Sequence, residues 1–94
     1  MPQLSETSIS LLTILNNIND LIVLSSARKE ADDVMRALSV YAKNKSFPLP
    51  EDKIENFHFI LLDSKPYTIT SLLHDIARDI IITDNKIQKD KKPV

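Results

Sequence analysis

The amino-acid sequence predicts an all-α protein, an antiparallel up-and-down four-helix bundle with a flexible polar C-terminal tail. Three observations lead there. Apolar residues recur with a helical period in four separate segments. Short proline- or serine-marked breaks divide those segments, and no stretch alternates apolar and polar residues as a half-buried strand would. The clearest segment is 69–81, where Ile69, Leu72, Leu73, Ile76, Ala77, Ile80 and Ile81 recur at spacings of three, one, three, one, three and one. At about 100° per residue these seven fall on one side of a helix, with Thr70, Ser71, Asp75, Arg78 and Asp79 on the other. A stripe that wide needs several neighbouring helices to cover it.

The first helix is expected over about 5–24. Ser5 is placed to cap it, with Leu4 and Ile9 at the two positions of a hydrophobic staple, and Leu11, Ile14, Leu15, Ile18, Leu21 and Ile22 share its inner face. Asn16, Asn17, Asn19 and Asp20 lower its intrinsic propensity, so tertiary packing must hold it. A break at Leu24, Ser25 and Ser26 follows, either serine being able to cap a second helix over about 27–45. Its core positions read as Ala27, Ala31, Val34, Leu38, Tyr41 and Ala42, and Asp32 with Arg36 makes an i,i+4 pair on its polar side.

Phe47-Pro48-Leu49-Pro50 is the strongest punctuation in the chain. Pro48 biases Phe47 out of helical geometry, and Pro50 suits the first position of a third helix over about 50–64, with Glu51 and Asp52 at the positive end of its dipole. Ile54, Phe57, His58 and Leu61 share one face of it. Ser64, Lys65, Pro66 and Tyr67 read as a turn, with Thr68 or Thr70 capping a fourth helix over about 69–82. Residues 1–83 thus form the bundle. Residues 84–94 hold four lysines, two aspartates and a proline against two apolar side chains, and are expected to be a mobile lysine-rich tail.

Composition excludes several classes of function. Glycine is absent, so a phosphate-cradling loop, a dinucleotide fingerprint and a nucleophile elbow, which need it for positive φ or close backbone approach, cannot be built. Helix ends must instead be closed by Asn, Ser or Pro. Cysteine is absent too, which removes disulfides and thiolate metal sites. No apolar run reaches membrane-spanning length, and the first ten residues, which carry Glu6, are unlike a secretory signal; a cytoplasmic location is expected.

The candidate chemistry is sparse. His58 and His74 lack metal-ligand spacing; His58 reads as a hydrogen-bonded boundary residue and His74 as a solvent residue. Asp75 and Asp79 lie one turn apart on a polar face with nothing to perturb them, so an enzyme is not expected, nor a cofactor or metal. Arg28, Lys29, Arg36, Lys43 and Lys45 cluster in and around the second helix, but Glu30, Asp32 and Asp33 interrupt them. The net charge is −1, and nucleic-acid binding is not expected. The informative excess is apolar. On the third helix Phe59 points nearly opposite Phe57 and Leu61, and Ile60 and Leu62 flank the main stripe on both sides. Either that helix is central or covered by the chain ends, or the hairpin of helices three and four offers an apolar surface to a partner.

Several of these stretches resemble the immunity proteins of pediocin-like (class II) bacteriocins, of the enterocin A immunity type. They are Asn19-Asp20-Leu21 near the end of helix one, residues 34–45 in helix two, and Phe47-Pro48-Leu49-Pro50. Lys65 and Ile69-Thr70 then lead into Leu72-Leu73-His74-Asp75-Ile76. The resemblance spans residues 18–81 and implies a cytoplasmic four-helix bundle that is not an enzyme. It implies protection of the producing cell by binding the bacteriocin-bound mannose phosphotransferase permease from the cytosolic side, near the membrane surface. It also implies that the C-terminal half selects the toxin, and with the apolar excess that points to Phe59, Ile60, Leu62, Lys65, Tyr67, His74, Arg78 and Lys86 as partner-binding residues. The tail departs from the family pattern, because a segment ending at Val94 has little apolar content with which to dock. The alternative is a small helical regulatory adaptor or antitoxin-like protein that uses the same hairpin on a protein or nucleic-acid partner.

Overall fold

A computed structural model describes residues 4–24, 27–63 and 65–91. Four helices follow in order: α1 (Glu6–Val23), α2 (Arg28–Asn44), α3 (Glu51–Asp63) and α4 (Pro66–Lys91). They form the all-α four-helix bundle expected, each packed on two neighbours: α1 lies against α2 and α4, and α3 against α2 and α4. Paired residue numbers rise in one helix and fall in the next. Ser5 meets Asp84 and Asn19 meets Thr70 across α1 and α4, while Arg28 meets Leu61 and Asp32 meets His58 across α2 and α3. The helices therefore alternate in direction.

The core is a single cluster. Leu11, Leu15, Ile18 and Ile22 of α1 face Ala31, Met35, Leu38 and Ala42 of α2, Phe57 and Leu61 of α3, and Ile69, Leu73, Ile76 and Ile80 of α4. Removing each of the larger of these side chains from water contributes about 1.5–3 kcal/mol. In α2 the centre of the stripe is Met35, fully buried, with Val34 and Tyr41 at its edge; the inner face is rotated by about one residue from the expected one. In α4, Ile81 is 38% exposed and does not belong to the buried stripe, which passes through Ile80 to Asp84. A helical stripe drifts, and its last member can be assigned only once the neighbouring helix is in place.

Ser5 caps α1 as expected, its hydroxyl accepting the Ser8 N–H at 3.2 Å, but Ile9 is 52% exposed. α2 starts from Ala27 without any side-chain cap; Ser25 and Ser26, to which the cap was assigned, lie outside the described residues. Its other end answers the absence of glycine. Ser46 takes the left-handed conformation, φ 54°, and the Phe47 N–H donates to Ala42 O at 2.8 Å while the Ser46 N–H donates to Lys43 O at 3.1 Å. These are the paired bonds of a Schellman close, made with a serine at the position that favours glycine, and Phe47 is driven into the core by it.

α4 departs most from expectation. It begins at Pro66, three residues before the expected start, with Lys65 O accepting the N–H groups of Thr68 and Ile69. Proline suits that first position because its missing N–H would have no helical partner there. Neither Thr68 nor Thr70 caps it; the Thr70 hydroxyl donates to Asn19 Oδ1 of α1 at 3.0 Å. The helix then continues past Ile82 to Lys91, so residues 84–91 are not a mobile tail; residues 92–94 lie outside the described residues. The cause is Asp84. It is 2% exposed and accepts the Ser5 N–H at 3.1 Å and the Gln88 amide at 2.7 Å. A polar residue at a core position looks like the end of a helix, but here it accepts the N–H of Ser5, the residue that caps α1.

Candidate functional site

The hairpin of α3 and α4 carries most of the residues singled out by the sequence. Phe59 is 73% exposed and Tyr67 69%, whereas Phe47 and Phe57 are buried. Ile60 is half-buried and packs on the core, so it is part of the fold rather than of a free surface. The side chain of Leu62 lies outside the described residues. Lys65 is exposed, its Nζ 6.0 Å from the centre of the Tyr67 ring, a cation–π arrangement in the turn between the helices. His74 and Arg78 follow Tyr67 at seven and eleven residues along the same exposed side of α4. Arg78 Nη2 stands 3.6 Å from Asp75, a solvent-screened pair. Lys86 is exposed further along. Lys65 and Tyr67 are brought into contact; Phe59, on α3, and Lys86, some five turns beyond Tyr67, are separate.

His74 lines a shallow hollow of about 130 Å³ with Leu12, Asn16, Asn19 and Ala77 on the α1–α4 seam. His58 does sit at a boundary, as expected, with Nδ1 2.6 Å from Asp32 Oδ1. That oxygen has no aligned hydrogen bond among the described residues, so the contact is one of proximity rather than a directed bond. Asp32 also holds Arg36 at 3.4 Å. The Arg28 guanidinium donates to Leu61 O at 3.0 Å, satisfying a carbonyl in the last turn of α3, where a cation is favoured. Lys45 Nζ lies 5.9 Å from the Tyr41 ring centre. Three cations of the second helix region thus each have a partner within the fold.

Two titrating groups are perturbed, and both hold helices together. Burial pushes the Asp84 carboxyl up, but hydrogen bonds from the Ser5 hydroxyl and N–H, Ser8 and Gln88 outweigh it and hold the group below its ordinary value of 3.8. Lys53 of α3 donates to Asp79 of α4 at 2.7 Å. That bond, with the charges of Asp79, Asp75 and Asp52, raises the ammonium above the usual lysine value against its partial desolvation. Among the described residues no group of three or more His, Asp or Glu side chains is placed to hold a metal ion, and no helix is long and apolar enough to cross a membrane.

Sequence reasoning missed a second apolar exposure. Ile9, Ile81 and Ile82 are 52%, 38% and 54% exposed, and Val23 and Leu24 are 74% and 60% exposed at the far end of α1. For Ile81 and Ile82 the signal was the excess of isoleucine over what one stripe of α4 can hold. What the fold and these surfaces define is a small all-α four-helix bundle with exposed apolar side chains. Comparison with protein-family models, with curated proteins and with solved structures gives no match for this chain.

Proposed function

We propose that this protein is an immunity protein against a pediocin-like bacteriocin. It protects the producing cell by engaging the bacteriocin-bound mannose phosphotransferase permease from the cytosolic side. The observation that supports this reading best is the exposure of Phe59 and Tyr67 on the α3–α4 hairpin, at 73% and 69%, with Tyr67 against the exposed Lys65. Aromatic side chains are enriched at protein interfaces, and tyrosine is among those that most often carry binding energy there. They stand in the half of the chain that the sequence resemblance assigns to toxin selection. On this reading the protein acts by occupying a surface and performs no chemistry.

The test is expression in a sensitive strain challenged with a broad panel of pediocin-like bacteriocins. Wild-type protein protects against at least one of them, and the Phe59→Ser/Tyr67→Ala double variant does not, although its helical circular dichroism and melting temperature are retained. Failure of the wild type against the whole panel overturns the reading. Protection by the double variant moves the binding surface away from the hairpin.

A further inference from the structure

The α2–α3 pair is clasped at one end and open at the other. Arg28 to Leu61 O and Asp32 to His58 tie the helices together near the start of α2. Toward Ser39 and Glu51 the two helices leave a space between them, with Ser46, Phe47, Pro48 and Leu49 of the connecting segment in its lining. The result is a groove of about 570 Å³, within the range of natural ligand sites and several times the volume of the hollow on the α1–α4 seam. Ala42, Phe47, Leu49 and Ile54 supply its apolar lining. Glu51 and Glu55, one turn apart and both exposed, stand along the α3 wall, and Lys43 stands on the α2 side. No ion pair involves these three residues among the described residues, unlike Asp32, Asp75 and Asp79, which each have a basic partner.

We infer that this groove receives a segment of a protein partner: an amphipathic helix presenting a large apolar side chain with lysine or arginine one turn away. The apolar side chain occupies the space between Phe47, Leu49 and Ile54. The cations meet Glu51 and Glu55, whose spacing of four residues matches one turn of a bound helix. Two carboxylates against one ammonium give the rim an acidic balance that selects a cationic segment over an anionic one. The inference does not depend on the protection reading, which rests on Phe59 and Tyr67, and purified protein decides it.

The experiment uses isotope-labelled full-length protein titrated with three synthetic peptides: a leucine/lysine amphipathic helix, its leucine/glutamate counterpart, and an all-lysine peptide of equal length. The expected result is saturable amide shifts confined to residues 39–55 with the leucine/lysine peptide. The Glu51→Gln/Glu55→Gln variant, both changes being at exposed positions, then binds it at least tenfold more weakly while its helical circular dichroism is retained. Three results would each overturn the inference. One is equal binding by the variant or by the all-lysine peptide. Another is shifts that map elsewhere or do not saturate. The third is concentration-dependent shifts in the same residues without peptide, which would make a second copy of this chain the occupant.

Discussion

The α1–α4 seam and the α3 edge use the same apolar period, yet they are held in opposite ways. The seam is fixed by a group withdrawn from water, Asp84 at 2% exposure on the start of α1, with the half-buried Thr70–Asn19 bond some four turns away. α3 is the shortest helix, with two fully inward anchors, Phe57 and Leu61, and polar ties whose side chains stay wet: Lys53 and Asp79 at 33% each and His58 at 40%. Burial makes a polar contact expensive to lose, because the abandoned partner stays dry; exposure makes it cheap, because water replaces it. The seam therefore defines the fold. The α3 edge is where the exposed aromatics and the groove are found, in the part of the bundle least committed to its own interior.

That contrast can be broken at three levels. Phe57→Ala removes the larger of the two α3 anchors from a site with no solvent access, and it should cost about 3–5 kcal/mol, much of the stability of a domain this size. Chemical denaturation measures it, and a loss below about 1 kcal/mol would mean that α3 is not anchored as described. Asp84→Ala leaves the Ser5 N–H and the buried Ser8 without their acceptor, and should cost about 1–3 kcal/mol. The same group gives a pH signature. Its carboxyl is held below the ordinary value, so its contribution is fully present above about pH 4 and is lost as pH falls through the depressed folded value. Wild-type protein should lose stability more steeply than the variant over that acid range, in unfolding curves taken at a series of pH values. Lys53→Met is the mildest change: a small loss at low salt that shrinks as salt is added, because the pair with Asp79 is solvent-screened. A loss as large as that of Asp84→Ala, indifferent to salt, would place the α3 edge on the same footing as the seam.

The periodic parts of this fold were legible because burial has a period. Leu11, Leu15, Ile18 and Ile22 follow it, as do Ile69, Leu73, Ile76 and Ile80. The Ser5 cap was legible because its donor lies three residues away. The second half of α4 was not, since residues 83–91 carry little apolar signal, and Asp84 acquires its meaning from a residue 79 positions away. The exposure of Phe59 followed from its angle on α3, and that of Tyr67 could be anticipated only as a turn residue. The groove was beyond reach. It lies between the end of α2 and the start of α3, and although Phe47-Pro48-Leu49-Pro50 stood out as a break, nothing in that tetrapeptide states how much space it leaves between them.

The bond from Ser5 to Asp84 also carries a kinetic meaning. Bringing together residues 79 apart costs loop-closure entropy that grows as the logarithm of the span, about 4 kcal/mol before any constant term. On a growing chain, at least 84 residues must be made before α1 receives its carboxylate. Until then its first turn presents free N–H groups that only Ser5 and water can satisfy. α1, made before the other three helices, is thus among the last of the four to be completed. Contacts at this end should be unformed in the folding transition state, so that changes at Asp84 speed unfolding far more than they slow folding.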